Sequence, residues 1–159
     1  MKRLYNALMI IIPIVIITSC LSGPQQKLDD PVFYQKHGSW QFDKSAKQCF
    51  QASKKALSDM GFKIEKENKK KLSLISNRQP AVTYAEAIGS DSSIATQTKV
   101  YVKYYIKMEG DSKTCVVRIA KMKIYENLTE KEIYPLGFVK GRVDNFGKAL
   151  KQAIVDQDF

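Results

Sequence analysis

Histidine is nearly missing from this chain. His37 is the only one in 159 residues, beside one tryptophan and three cysteines. With so little histidine, the usual base of a Ser-His or Cys-His nucleophilic pair has one candidate, and no multi-histidine metal site can form. Cys-x-x-Cys, His-Glu-x-x-His and Gly-rich phosphate loops are absent as well. Most acidic residues stand in stretches that read as turns or beside lysines, so no carboxylate pair suggests itself for acid/base work. These absences argue against an enzyme and against any cofactor or metal.

The first residues are short of charge. After Lys2 and Arg3, no charged residue occurs from Leu4 to Gln26, and Ala7 to Ile17 is almost wholly apolar. A basic start, an apolar middle and small residues near a cut are the order of a secretory signal. The apolar run is shorter than the roughly 20 residues of a comfortable membrane span, and Pro13 would kink a spanning helix. An uncleaved anchor is the second reading.

The residues Ile17-Thr18-Ser19-Cys20 follow. They resemble the lipobox of bacterial lipoproteins: a branched apolar residue, two small residues, then cysteine. The resemblance implies a diacylglyceryl thioether on Cys20, cleavage between Ser19 and Cys20, and acylation of the new amino group. Stable anchoring requires two or more acyl chains, since one binds only marginally. In Gram-negative lipoproteins an Asp after the cysteine retains the protein in the inner membrane. Leu21 here favours the outer membrane, facing the periplasm. The competing account is an ordinary secretory signal with an unrelated cysteine. The expected organisation is a signal peptide over 1–19, a lipidated tether over 20–42 and a single domain over 43–159. Phe33, Tyr34, Trp40 and Phe42 are too aromatic for pure linker and suggest that this end docks on the domain.

The formal net charge is +10, and Arg78, Arg118 and Arg142 are the only arginines after the signal. An AT-rich genome would produce such a lysine bias without selection for a ligand. A basic surface still favours anionic partners such as lipid headgroups or acidic glycans. An exported protein has no nucleic acid to meet.

Helical spacing of Ala46, Cys49, Phe50, Ser53, Ala56, Leu57 and Met60 predicts a helix from Asp43, a good N-cap, to Gly61. Phe62–Glu65 and Leu72–Asn77 read as short strands, and Pro80–Ala95 as a loop. Val100, Val102, Tyr104, Ile106 and Met108 alternate with polar residues, and Gly110-Asp111 marks a hairpin turn. Cys115, Val117 and Ile119 share one phase, whereas Met122 and Ile124 share the other, which places a bulge near Ala120. A last helix is predicted over Leu136–Val155. The fold expected is α+β: a two-layer sandwich in the order α-β-β-β-β-α. Its sheet has four mainly antiparallel strands, with both helices on one face.

The stretch Ala56 to Gly61-Phe62-Lys63-Ile64, followed by strands and a closing helix, resembles small periplasmic helix-grip lipoprotein domains. Those found in a lipoprotein component of the outer-membrane barrel-assembly machine are examples. The familiar member has two such domains and this chain one. Cys49 and Cys115 both point into the core, so a disulfide is expected in an oxidising compartment, against the alternative of two buried free thiols. The outward strand positions Tyr101, Lys103, Tyr105 and Arg118, with Lys107, Lys121 and Lys123 beside them, interleave aromatics and cations. Such a face suits a protein partner or an anionic glycan; it also suits a plain solvated sheet surface. The functional expectation is a membrane-anchored envelope lipoprotein acting as a non-enzymatic binding or structural module. The alternative is an accessory component of an envelope assembly or secretion complex.

Overall fold

Two long strands carry the structure, because alternation in their sequences persists far beyond the usual strand length. The computed structural model describes residues 23–87 and 95–157. In chain order the elements are β1 (Gln25–Lys27), α1 (Pro31–His37), β2 (Ser39–Phe42), α2 (Ala46–Asp59), β3 (Ile64–Asn68), β4 (Ser73–Ser76), β5 (Gln79–Ala87), β6 (Ala95–Gly110), β7 (Cys115–Glu126), β8 (Thr129–Lys131), β9 (Ile133–Pro135) and α3 (Leu136–Val155). The main sheet is antiparallel in the order β2-β7-β6-β4-β3, with β5 also on β6 and β8 also on β7; β1 and β9 pair separately.

This overturns the four-stranded, two-helix sandwich. Among the described residues the main sheet has seven strands, a second sheet has two, and there are three helices. The physical reasons differ from element to element. β5 lies where a loop was expected, because Pro80 and the alanines mask any alternation. It pairs only with β6, and at such an edge a proline is tolerated. β2 has four residues, too few to show a period. β8 depends on a two-residue turn at Asn127-Leu128, where both residues have positive φ, as a primed hairpin turn requires.

The predicted irregularity in β7 is present. Tyr105 pairs with Lys121 and Ile106 with Ile119, so Ala120 is the extra residue. The inward side chains on both sides of the bulge, Val117, Ile119, Met122 and Ile124, are all buried. β4 and β5 share one edge of β6, and their junction is stitched by Ser76, whose buried hydroxyl accepts the Tyr104 N–H at 2.9 Å.

Helix α2 starts at a capping box on Ser45 and Gln48, two residues later than the expected cap Asp43. It ends as predicted at Gly61, whose φ of +84° is open to glycine. There the Phe62 N–H reaches the Leu57 carbonyl and the Gly61 N–H the Ser58 carbonyl, closing a Schellman motif. Helix α3 matches its predicted bounds. It lies so near β2 that a Cβ on Gly147 would stand 2.6 Å from Trp40 Cζ2.

The segment 25–42 joins the core through its aromatics. Asp30 caps α1 with its carboxylate, and Pro31 takes the first helical position. Tyr34 is fully buried; its hydroxyl donates to the Leu28 carbonyl at 3.1 Å and accepts the Met122 N–H at 3.2 Å. Burial pushes this phenol up to about 12. Cys49 of α2 and Cys115 of β7 form a disulfide, with Cα atoms 6.6 Å apart. It closes a separation of 66 residues, which in the chain-entropy picture stabilises the fold by about 4 kcal/mol.

Tyr34→Phe strands a buried carbonyl and a buried N–H, so it should destabilise the protein by roughly 1–3 kcal/mol in chemical denaturation. An unchanged midpoint would show that the hydroxyl carries no stability. Gly147→Ala gains helix propensity but forces Trp40 aside. The net expectation is a loss of roughly 1–2 kcal/mol. Trp40 is the sole tryptophan, so its fluorescence should shift to the red.

Candidate functional site

The helices cover one face of the main sheet and leave the other open. On the open face, strand register sorts the side chains into rows across β3, β4, β6 and β7. Opposed residues of an antiparallel pair stand on the same side, and successive rows follow every second residue. Tyr101, Lys103, Tyr105 and Arg118 all lie on this face, each half-buried.

The rows differ in how their charge is balanced. Tyr101 stands opposite Tyr125, and the Arg78 guanidinium lies 4.0 Å above the Tyr125 ring. Lys103 faces Lys123, a like-charge pair. It is neutralised from both ends: Lys103 Nζ is 2.7 Å from Glu65 Oε2, and Lys123 Nζ is 2.8 Å from Glu130 Oε2. Those hydrogen bonds hold the Glu65 carboxyl below its ordinary range and lift the Lys123 ammonium above its own. The Lys103 side chain is only 14% exposed, so little of it is free for a partner.

The next two rows have no such balance. Lys66, Ile75, Tyr105 and Lys121 run in register, with the Lys121 ammonium 4.7 Å from the Tyr105 ring centroid. Beyond them Ser73, Lys107, Arg118 and Ser39 run in register. Lys107 and Arg118 are again opposed cations. Among the described residues neither they, nor Lys66, nor Lys121 has a carboxylate within ion-pair distance. Glu109 stands one row beyond Lys107 and joins none of them, and Glu65, next to Lys66 in β3, is taken up by Lys103. The Arg118 Nε is buried with no hydrogen-bond partner. A groove of about 350 Å³ opens between these rows, lined by Ser73, Ile75, Tyr105, Lys107, Ala120 and Lys121. A second groove, of about 470 Å³, shares Lys121 but mixes both signs of charge through Asp29, Glu130 and Glu132.

The other sequence-derived sites fall as follows. Cys20 lies outside the described residues. Cys49 and Cys115 are joined. His37 closes α1, its ring 5.0 Å from Phe33 rather than loose in solvent. Among the described residues no group of His, Cys, Asp and Glu is arranged to hold a metal ion, and no helix is long and apolar enough to cross a membrane. Strand alternation placed Lys107 and Lys121 on the open face but could not separate them from Lys103. The distinction depends on Glu65, 38 residues before Lys103, and on Glu130, which the unforeseen β8 hairpin brings back.

Opposed like charges cost a strand pair roughly 0.2–1 kcal/mol. Lys107→Gln should therefore raise the melting temperature by roughly 1–3 °C at low salt, and by less at high salt. Lys103→Gln, which breaks an ion pair, should not raise it. Equal behaviour of the two variants would show that the rows are electrostatically alike.

No family model matches the chain. No curated protein matches it either. Among solved structures it is similar to a DUF4468 family protein from Bacteroides ovatus, at 14% identity and a TM-score of 0.40, over 73% of this chain and 84% of that one. A likeness this distant carries no argument about what the chain does.

Proposed function

We propose that this protein is a lipid-anchored lipoprotein of the cell envelope, on the outer membrane facing the periplasm, and that it binds a partner through its open sheet face without catalysing a reaction. The observation that carries this reading is the buried Cys49–Cys115 disulfide. Such a bridge persists in an oxidising compartment, the one to which an N-terminal signal would deliver the chain. The lipobox-like Ile17-Thr18-Ser19-Cys20 supplies the anchor. The division of the sheet supplies the binding surface: one face closed by helices, the other bearing Tyr101, Tyr105 and Arg118, with the Lys103 ammonium taken up by Glu65.

The start of the fold sets how the domain would sit. Strand β1 begins at Gln25, so five residue steps separate it from Cys20. A fully extended chain covers about 17 Å in that distance. The domain would then ride close to the bilayer rather than on a long tether, and its partner would be within the same layer of the envelope.

Two measurements test the reading. Cys20→Ala should abolish labelling by a radioactive fatty acid and leave an unprocessed precursor; normal processing with membrane retention would refute the anchor. Tyr101→Ala with Tyr105→Ala should remove whatever co-purifies with the acylated protein in mild detergent, while circular dichroism stays unchanged. A stable stoichiometric set of envelope proteins in that purification would favour an accessory component of an assembly or secretion complex over a lone binding module.

A further inference from the structure

We infer that the groove between β4, β6 and β7 is a subsite for one anionic sugar unit, a hexose bearing a carboxylate or a phosphate. This rests on the reading of the open sheet face as a binding surface and names its ligand. Three observations converge on the groove.

The first is charge. Four cations, Lys66, Lys107, Arg118 and Lys121, occupy two adjacent rows in which the described residues place no ion-paired carboxylate. The neighbouring row, with the same like-charge opposition at Lys103 and Lys123, has a carboxylate on each lysine. An anion between Lys107 and Arg118 would do for one row what Glu65 and Glu130 do for the other.

The second is the donor set. Lys107 and Lys121 line the groove, and an oxyanion there would accept charge-assisted bonds from both ammonium groups. Arg118 stands opposite Lys107 without lining the groove, and its Nε is closed to solvent. Ser73, opposite Lys107 on β4, adds a hydroxyl at the groove.

The third is the lining. Tyr105, Ile75 and Ala120 give the groove an apolar side as well as a cationic rim. A bare inorganic anion has no use for an aromatic wall. A sugar ring has, because its C–H face packs on the Tyr105 ring while its acidic group reaches the cations. The volume of about 350 Å³ is that of a small-ligand pocket, suited to one ring. The bulge at Ala120 is part of this wall: it brings Lys121 into line with Tyr105 instead of turning it to the core.

The test titrates the lipidated full-length protein in mild detergent by calorimetry at low salt. The probes are glucuronic acid, glucose 6-phosphate, glucose, inorganic phosphate and hexaglutamate. The two anionic sugars should bind saturably, about fivefold or more tighter than glucose or phosphate. Lys107→Gln and Lys121→Gln should each weaken that binding about tenfold, and Tyr105→Ala should erase the preference over phosphate. Lys103→Gln, whose charge Glu65 already holds, should change it by less than about twofold. Circular dichroism and an intact disulfide check the fold of each variant. No saturable binding by either anionic sugar overturns the inference. So does equal binding of phosphate, or a loss in Lys103→Gln as large as in Lys107→Gln. If hexaglutamate alone binds, in a Lys107-dependent way, the open face serves an acidic protein: the sugar subsite falls while the broader proposal stands. If Cys20→Ala remains anchored yet the sugars bind as expected, the anchor falls and the subsite stands.

Discussion

One extra residue in β7 decides both faces of the sheet. With Ala120 paired as an ordinary strand residue, alternation would carry the phase of Val117 and Ile119 on to Lys121 and Lys123, which would enter the core while Met122 and Ile124 went to water. A one-residue slip moves every later side chain to the opposite face. The bulge restores the phase, so that apolar residues on both sides of it are buried beneath the helices. The same step puts Arg118 and Lys121, three positions apart, on one outward surface. The packing of the core and the charge of the groove thus have a common origin.

A bulge also interrupts pairing, and the chain covers the interruption with its N-terminal segment. β2 pairs with β7 up to Arg118, the Gly38 carbonyl accepts the Ile119 N–H at 2.8 Å, and β8 resumes at Ile124. Between them the Met122 N–H is taken by the Tyr34 hydroxyl. A phenol can serve here because a long side chain with a polar tip reaches this edge from α1. The disulfide fastens the other end of β7 to α2, and the Ala46 N–H bonds the Asp111 carbonyl of the adjoining turn at 2.8 Å. β7 is therefore held at its first residue by a covalent bond and near its middle by Tyr34.

What was legible in the sequence follows from how much of each element its own side chains specify. Helices α2 and α3, the β6–β7 hairpin and the Ala120 bulge each carry a period or a change of phase within a dozen or so residues, and each was foreseen. The Cys49–Cys115 pairing was readable because both residues fall on inward positions of such elements. β2, β5 and β8 exist because a neighbour offers an edge, and a three- or four-residue strand has no period of its own. Local signals for two omissions were present nonetheless. Asp30-Pro31 is an N-cap followed by proline at the first helical position, and it announced α1 inside what read as tether. Asn127-Leu128 between Glu126 and Thr129 was a turn, with the Asn127 Oδ1 accepting the Lys99 N–H at 2.9 Å. The pairing of Lys103 with Glu65 was not legible, because an ion-pair partner on another strand leaves no mark near it in the chain.

That pairing bears on how a basic surface should be judged. A net charge of +10 is poor evidence of a ligand when nearly all of it is lysine, since codon bias alone distributes lysines over solvated positions. Codon bias predicts nothing, however, about where carboxylates fall relative to them in three dimensions. On this sheet face the acids do not follow the cations evenly. Glu65 and Glu130 come from two different strands to the one row of Lys103 and Lys123, and Lys131 is likewise held by Glu126 at 2.9 Å. Two rows on, Lys107 and Arg118 carry the same repulsion with no acid paired to either. Placing two cations opposite each other is costly to the sheet in either row. In one row the fold supplies the counter-charge itself. In the other the fold leaves the cost standing beside an open groove, and that local imbalance, rather than the sum over the chain, is the physical reason to look there for an anion.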